Sequence, residues 1–449
     1  MKKLVFHGAA GTVTGSCHLL IGDNNRGLMV DCGMFQGTKE VWDLNFQTPT
    51  FTAGEIDNVL LTHAHLDHCG RLPLLARMGF TGNIYATKAT RDLTEIVLFD
   101  AARIQSLDDG VDPLYTEEDV ENILSRFRIV NYETEFTVSG YQVVYKDAGH
   151  LLGSASILVT QIDNAKSIVF SGDLGNTPDM LLKPTSYFSK SDTVVMESTY
   201  GDRVHPKEDA LRILQMEINA SENDKSVLMI PAFSLERTQM LLYMMKELKR
   251  LGYIKESTPV YLDSPMGINA TEIYKNYIPL YNEGIIKEFS EGDPFDFPGL
   301  IVTRSAKQSK RIEGAGGVRI IIAGSGMMTG GRIVAHAAKY LSDANNRLVM
   351  VGYQGEETLG REIKEGAKEV EIDGETIPVN AQIKVIDSLS AHADQKKLLT
   401  WLDKIQGVSK VILIHGEDDG PREQLGDKIR EMYKIDNIYL PKLHEEVHL

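Results

Sequence analysis

The N-terminal part of the chain alternates short apolar runs with glycine-rich connections. The runs are typical of β-strands and include Leu4–His7, His18–Gly22, Gly27–Asp31 and Ile56–Thr62. A helical pattern near Gly70–Met78 follows the last of them. Strands that end in polar loops, with helices outside, indicate a layered α/β architecture that places its chemistry at strand ends.

The pattern changes after about residue 205 and returns after about residue 391. Between these points, short and almost wholly apolar segments such as Ser226–Ile230 and Arg319–Ala323 alternate with long helices. Such segments favour strands of a parallel sheet that is covered on both faces. The sequence thus predicts a second, doubly wound α/β domain. Beyond it, a helix near Gln395–Ile405 and a strand at Val411–Ile414 return to the first pattern.

The composition limits which binding partners and which cellular compartment are compatible with the chain. The 449 residues carry 47 Lys and Arg against 63 Asp and Glu, a formal net charge of −16. This balance excludes a uniformly basic surface, so a polyanionic substrate has to be held by a local site or by metal ions. No apolar run approaches the roughly 18 residues of a membrane span, and the first residues lack the apolar core of a signal peptide. The three cysteines have no CxxC spacing, which favours reduced thiols, a cytoplasmic location and no membrane partner.

The strongest chemical signal is a histidine cluster directly after the strand Ile56–Thr62. Residues 63–68 read His-Ala-His-Leu-Asp-His, which is four potential metal ligands within six positions. The chain has only 12 histidines, so a solvated turn that holds three of them by chance is improbable. Imidazole and carboxylate ligands favour zinc or a similar divalent first-row ion.

This cluster alone supplies too few ligands for two metal ions. Three further candidates, His150, Asp173 and His415, lie at or near the ends of apolar strands, each with a glycine nearby. Taken singly, each is also consistent with a helix or turn cap or with a hydrogen-bonded core group. Their common context favours a shared site.

The order of these residues resembles the signature of the metallo-β-lactamase fold, and more closely that of one branch, the β-CASP nucleases, which process RNA or DNA. Glu197 in Glu-Ser-Thr-Tyr-Gly resembles the acidic residue of motif A in that branch. His392 in Ser-Ala-His-Ala-Asp resembles the histidine of motif B, and His415 resembles that of motif C. These segments are most similar to the RNA-cutting subgroup, which includes the endonuclease subunit of the eukaryotic pre-mRNA 3′-end cleavage complex.

The resemblance implies a fold and a domain organisation. The expected fold class is α/β: a metallo-β-lactamase αββα sandwich with an inserted doubly wound α/β β-CASP domain. The metallo-β-lactamase domain is expected at residues 1–204 and 391–449, and the β-CASP domain at residues 205–390.

The resemblance also implies two Zn²⁺ ions, with other divalent ions such as Mn²⁺ as compatible substitutes. The implied ligands are His63, His65 and His150 for one ion, Asp67, His68 and His415 for the other, and Asp173 as the bridge between them. Asp67 also counts as a catalytic residue. His392 is expected to stabilise or protonate the leaving oxygen, and Glu197 to keep His392 cationic. Asp31 is expected to orient a ligand imidazole, although a turn cap at a strand end is an equally open interpretation.

A glycine-rich segment, Gly324–Arg332, follows the strand Arg319–Ala323 and precedes a helix. Backbone N–H groups at such a turn attract phosphate, although a tight turn for helix–sheet packing is the alternative. The predicted substrate-binding residues are Ser325, Gly326, Thr329, Gly330 and Arg332, together with Arg237 at the end of another strand. A basic cluster between Arg304 and Arg311 has the spacing to follow phosphates, but a solvated helix surface is the favoured interpretation.

The predicted function is a zinc-dependent ribonuclease that hydrolyses RNA phosphodiester bonds in RNA processing or decay. Single-stranded RNA is the expected partner. A homodimer is left open, as are the endonucleolytic and 5′-exonucleolytic modes. One alternative is a hydrolase of a small ester or phosphodiester, which the large inserted domain, Glu197 and His392 disfavour. The other is a non-catalytic RNA-binding scaffold, which is disfavoured because no ligand position is substituted.

Overall fold

The computed structural model describes residues 1–22, 26–106 and 112–449. The chain divides into two compact units. Unit 1 consists of Met1–Val204 and His392–Leu449, and unit 2 of His205–Ala391.

The secondary structure alternates strands and helices along both units. The strands are β1 (Lys3–Phe6), β2 (His18–Ile21), β3 (Gly27–Val30), β4 (Ile56–Leu60), β5 (Ile84–Ala86), β6 (Phe127–Ile129), β7 (Phe136–Val138), β8 (Tyr141–Asp147), β9 (Ala155–Gln161), β10 (Ser167–Phe170), β11 (Thr193–Glu197), β12 (Val227–Pro231), β13 (Val260–Asp263), β14 (Leu300–Val302), β15 (Arg319–Ala323), β16 (Arg347–Met350), β17 (Glu369–Ile372), β18 (Glu375–Pro378), β19 (Gln382–Val385), β20 (Lys410–Ile414), β21 (Ile438–Tyr439) and β22 (Glu446–His448). The helices are α1 (Lys39–Asp43), α2 (Leu66–Cys69), α3 (Leu72–Arg77), α4 (Lys88–Gln105), α5 (Glu117–Leu124), α6 (Ala210–Asp224), α7 (Arg237–Arg250), α8 (Pro265–Tyr274), α9 (Glu283–Glu291), α10 (Ala306–Glu313), α11 (Arg332–Tyr340), α12 (Leu359–Lys364), α13 (Gln395–Asp403) and α14 (Glu423–Tyr433).

Unit 1 is built on two seven-stranded sheets, with strand orders β22-β1-β2-β3-β4-β5-β6 and β21-β20-β11-β10-β9-β8-β7. Apolar side chains of the first sheet, such as Phe6 and Leu60, pack in one core with Ile157 and Phe170 of the second. Helix α13 covers the other face of the second sheet through Trp401 and its neighbours, and α4 packs on β6 of the first sheet. This αββα arrangement confirms the predicted fold class.

The register of the strands determines where the polar loops meet. Strands β10, β11 and β20 are parallel neighbours, and Glu197 at the end of β11 lies opposite Ile414 of β20. Strands β3 and β4 are also parallel, with Val30 opposite Leu60. Because the carboxyl ends of parallel neighbours meet at one edge of a sheet, the loops that carry the candidate ligands are brought together in unit 1.

Unit 2 has a six-stranded sheet with the order β14-β13-β15-β12-β16-β19, in which every neighbouring pair is parallel. All five residues of β12 are buried, as the continuous apolar run there predicts. Met229, Ile321 and Leu348 from three neighbouring strands pack in one core with residues of α11. The predicted doubly wound domain is therefore present.

The helix expected near Gly70–Met78 is interrupted: α2 ends at Cys69 and α3 begins at Leu72. Arg71 leaves the helical conformation, with φ −103° and ψ 6°, and its guanidinium donates hydrogen bonds to the carbonyl oxygens of Gly33 and Gly15. A local sequence pattern cannot predict these hydrogen bonds, because they join residues that are far apart in sequence. Among the described residues, none of the helices is both long enough and apolar enough to span a bilayer.

Candidate metal centre

The histidine cluster lies where β4 leaves the core of unit 1. His63 and His65 are in an extended segment, whereas Asp67 and His68 lie on the short helix α2. The amide N–H groups of Ser16 and Cys32 donate to the carbonyl oxygens of Asp67 and His68 respectively, both at 2.8 Å. The loop is thus fixed by backbone hydrogen bonds from two neighbouring segments.

Gly33 allows this close approach. A Cβ atom at position 33 would lie 1.6 Å from the carbonyl oxygen of Asp67. No other residue fits here without displacing the histidine loop.

The first set of donor atoms joins this loop to the segments after β8 and β10. His65 Nδ1 lies 3.1 Å from His63 Nε2 and 3.1 Å from His150 Nε2. Asp173 Oδ2 is 3.4 Å from His63 Nε2 and 3.6 Å from His150 Nε2. Four donor atoms therefore surround one point.

The second set lies on the other side of Asp173. His415 Nε2 is 3.3 Å from both Asp67 Oδ2 and His68 Nε2. Asp173 Oδ1 is 3.3 Å from His68 Nε2 and 3.6 Å from His415 Nε2. Each oxygen of the Asp173 carboxylate thus faces one of the two sets.

These donor sets fit a pair of divalent cations. Two ligands of one tetrahedral zinc ion, each about 2.0–2.1 Å from it, lie roughly 3.4 Å apart, and the separations above are 3.1–3.6 Å. Asp173 Oδ1 is buried and accepts no hydrogen bond from any described residue, which is costly unless another group satisfies it. Neutral imidazoles and carboxylates are the ligands that zinc and similar ions prefer.

Burial keeps most of the ligand histidines neutral. It lowers the pKa of His63 and His150, and it lowers the pKa of His65 to about 3. For Asp173, burial raises the pKa, but the surrounding His415, His68 and His63 outweigh burial and hold the pKa well below its usual value. The bridging carboxylate is therefore ionised at neutral pH.

Asp31 and Thr62 contact the ring nitrogens of His68 and His63 that face away from the donor sets. Asp31 Oδ2 accepts from His68 Nδ1 at 2.8 Å and from the Thr62 hydroxyl at 2.8 Å, and the Thr62 hydroxyl lies 3.0 Å from His63 Nδ1. When Nδ1 carries the proton, Nε2 presents its lone pair to the site. Asp31 therefore occupies the place that an orienting carboxylate requires, and its role in orientation stays a prediction.

Thr199 lies in the corresponding place behind His415, and sequence reasoning missed it. Its Oγ1 is 3.0 Å from His415 Nδ1 and donates to the His415 carbonyl oxygen at 3.2 Å. The same hydroxyl is 3.4 Å from His392 Nδ1. The only sequence signal was its place two residues after Glu197, which does not reveal a contact with residues near 392 and 415.

Glu197 and His392 form an ion pair beside the ligands. Glu197 is buried, and its Oε2 is 3.2 Å from His392 Nδ1. The Leu174 amide donates to Glu197 Oε1 at 2.6 Å and fixes the carboxylate. Burial lowers the pKa of His392, but Glu197 outweighs burial and raises it to about 9. His392 Nε2 lies 4.0 Å from Asp173 Oδ2, at the edge of both donor sets.

The predicted substrate-binding residues lie in unit 2, and both arginines are engaged there. Arg237 is buried and pairs with Glu236 at 2.8 Å, and Arg332 Nη1 donates to Asp263 Oδ1 at 2.6 Å. The Ser325 hydroxyl lies 3.3 Å from Thr329 Oγ1 and donates to the Gly330 carbonyl oxygen. At position 326, a Cβ would lie 2.5 Å from the Phe233 ring. These contacts give the residues structural roles within unit 2. Their role in substrate binding stays a prediction.

Comparison with known families agrees with the fold. Residues 10–203 match the metallo-beta-lactamase superfamily, residues 238–363 the Beta-Casp domain, and residues 376–441 the Zn-dependent metallo-hydrolase RNA specificity domain. The chain therefore belongs to the metallo-β-lactamase superfamily, among its members that carry a β-CASP domain.

Three curated relatives illustrate its neighbourhood. Ribonuclease TTHA0252 of Thermus thermophilus is 39% identical over 93% of this chain and 94% of the relative. Transcription termination factor FttA of Methanocaldococcus jannaschii is 32% identical over 98% of this chain and 70% of the relative. An RNase J-like protein of the same archaeon is 32% identical over 93% of both chains.

Proposed function

We propose that this chain is a ribonuclease that uses two zinc ions to hydrolyse phosphodiester bonds of single-stranded RNA. The observation that carries the proposal is the two groups of donor atoms on either side of the Asp173 carboxylate, with His392 Nε2 4.0 Å from Asp173 Oδ2. His392 also lies close enough to Asp173 and His415 to form a third donor group with them, and we assign it to proton transfer. The names of the relatives support RNA as the substrate. The nitrogen-rich donors support zinc, and the three free, buried thiols support a reducing compartment such as the cytoplasm.

The proposed domain boundaries are residues 204/205 and 390/391, which the division into compact units at 204/205 and 391/392 supports to within one residue. His63, His65 and His150 would hold one ion, Asp67, His68 and His415 the other, and Asp173 would bridge both. When bound, such a pair of ions supplies electrophilic activation of water and stabilises negative charge in the transition state.

The remaining steps belong to side chains of the chain itself. His392 carries a proton that Glu197 stabilises, and it donates this proton from Nε2 to the leaving oxygen. Asp67 is the more exposed carboxylate of the ligand set, at 16% against 2% for Asp173. We therefore assign to Asp67 the acceptance of a proton from the attacking water. Asp31, Thr62 and Thr199 hold three ligand imidazoles in the orientation that presents Nε2.

The test is digestion of end-labelled RNA by zinc-loaded protein, with the metal content measured on the same samples. The His63→Ala variant should lose metal and cleavage together, whereas His392→Ala should keep two ions and lose most of the cleavage. His448→Ala, on the exposed strand β22, is the matched control and should behave like the wild type. Failure of a protein with two bound ions to cut any RNA, or cleavage of RNA by His392→Ala at the wild-type rate, would contradict the proposal.

A further inference from the structure

Helix α10 of unit 2 presents a basic outer face. Its inner face is fixed by Ile312, which is buried, and by Ser309, whose hydroxyl donates to Asp263 Oδ2 at 2.6 Å. Its N-terminus is closed by a capping box between Ser305 and Gln308. The orientation of the helix is therefore set, and Lys307, Lys310 and Arg311 point away from the core of unit 2.

Four exposed cations make up this surface, which we call the α10 basic face: Arg304, Lys307, Lys310 and Arg311. Within the described residues, none of the four forms an ion pair, although Glu313 lies on the same helix. Arg304 is nevertheless held in place, because Arg332 donates to its carbonyl oxygen at 3.2 Å and to that of Thr303 at 2.8 Å.

On several other surface helices of this acidic chain, a cation pairs with a carboxylate one turn away. Such pairs join Arg91 to Glu95 on α4, Arg361 to Glu365 on α12, and Lys428 to Glu431 on α14. The α10 basic face departs from this pattern. Although the chain holds more acidic than basic residues, the four cations of this face lie close together in sequence and none has an ion-pair partner among the described residues.

The arrangement also opposes the stability of the helix. Lys307 has like charges at i+3 and i+4, and such pairs destabilise a helix by about 0.2–0.5 kcal/mol each. The helix dipole favours Lys310 and Arg311 in the last turn, but it disfavours Arg304 and Lys307 at the N-terminal end. A bound polyanion would reverse both penalties.

We infer that the α10 basic face binds the phosphodiester backbone of RNA. The inference rests on the proposed ribonuclease function and assigns to unit 2 a contact with the substrate outside the metal centre. Cations at i, i+3 and i+4 lie about 5–6 Å apart at Cβ, a spacing that allows successive backbone phosphates to be neutralised. Ile301 and Val302, on the edge strand β14 shortly before Arg304 in sequence, are 40% and 38% exposed and could contact unpaired bases.

The test compares two triple variants that lose the same charge. The first is Lys307→Gln, Lys310→Gln, Arg311→Gln, and the matched control is Lys428→Gln, Arg430→Gln, Lys434→Gln on or next to α14, all at exposed positions. Both are made in zinc-loaded, full-length His392→Ala protein, and binding of a fluorescent single-stranded RNA is followed by anisotropy at several salt concentrations. Loss of three contacts should reduce affinity roughly tenfold or more and make the slope of log K against log salt shallower by about 2. The control should change neither.

The outcomes separate the inference from the proposed function. If both variants lose RNA affinity equally, or the first loses none, the inferred contact is wrong and the α10 basic face is a solvated helix surface. A change in the mass of the first variant in solution, measured by light scattering, also overturns it, because the face would then join two copies of the chain. If the parent protein binds no RNA at all, the proposed function fails as well. With an intact His392, the first variant should raise KM for long RNA and leave kcat within about twofold.

Discussion

Two buried aspartates at the ends of parallel strands, one in each unit, have opposite surroundings. Asp173 follows β10 in unit 1 and faces five histidines, yet its Oδ1 accepts no hydrogen bond from the described residues. Asp263 ends β13 in unit 2 and accepts from four side chains: Thr303, Ser309, Arg332 and His336. A carboxylate that the chain satisfies by itself supports the fold. A buried carboxylate oxygen that it leaves without a hydrogen bond, among imidazoles that can act as metal ligands, indicates a place for a cation.

Removal of the Asp173 carboxylate should have the largest effect. We expect Asp173→Ala to reduce RNA cleavage by at least about a thousandfold, because loss of a shared ligand exceeds the 10–100-fold typical of residues behind the ligands. Elemental analysis should give one ion or fewer per chain, and circular dichroism should show a native fold. Retention of two ions would show that Asp173 is not a bridge.

The corresponding change in unit 2 should affect stability and leave the metal content intact. Asp263→Ala removes the acceptor of four donors, of which Thr303 and His336 are buried and Ser309 and Arg332 are partly buried, and should lower the free energy of unfolding by about 3–5 kcal/mol. Chemical denaturation measures this loss. Asp263→Asn keeps one acceptor oxygen and should fall in between. A variant as stable as the wild type would mean that the Asp263 network contributes nothing to the fold.

Thr199 provides an intermediate case, because its hydroxyl connects a ligand to His392. Thr199→Val keeps the shape and removes the hydrogen bonds at 3.0 and 3.4 Å, so the affinity for the second ion should fall about 10–100-fold. Competition with a chromophoric chelator measures this, and Thr199→Ser should restore it. Thr193→Val, at the opposite end of β11, is the control. If the serine variant is as weak as the valine variant, the hydroxyl has no positioning role.

A third aspartate, Asp147, should make the stability of the protein depend on pH. Burial raises its pKa to about 7, and its Oδ1 accepts one bond, from the Gly149 amide at 2.8 Å. A carboxyl group whose pKa is raised in the folded state binds its proton more tightly there than in the unfolded state. The folded protein therefore loses stability as the pH rises from about 4 to 7. Asp147→Asn keeps the bond and removes the charge. Its stability relative to the wild type should therefore grow by roughly 1–2 kcal/mol between pH 4 and pH 8. A constant difference across this range would contradict the shift.

The sequence predicts the elements of this molecule better than their contacts. The strand at 319–323 and the start of α13 at Gln395 are confirmed, because apolar periodicity and capping residues are local signals. The histidine cluster is also local, and its ligand types indicate a metal. Periodicity cannot distinguish Asp173 from Asp263, since both follow apolar strands and only tertiary neighbours decide whether each is satisfied. Thr62 and Thr199 were missed for the same reason. Arg332 is assigned to substrate binding from its place in the glycine-rich segment, and its hydrogen bond to Asp263, 69 positions away in sequence, is not visible in that pattern.

The position of β20 in the second sheet has a consequence for synthesis. This strand pairs with β11 and leads directly into His415, yet it is encoded after the whole of unit 2. A ribosome that has reached residue 409 has therefore produced unit 2 completely, while β11 still lacks one of its two neighbouring strands and the cluster still lacks the His415 imidazole. The full set of candidate metal ligands is thus present only late in the synthesis of the polypeptide. Prematurely terminated products that end before His415 lack a complete set of donor atoms.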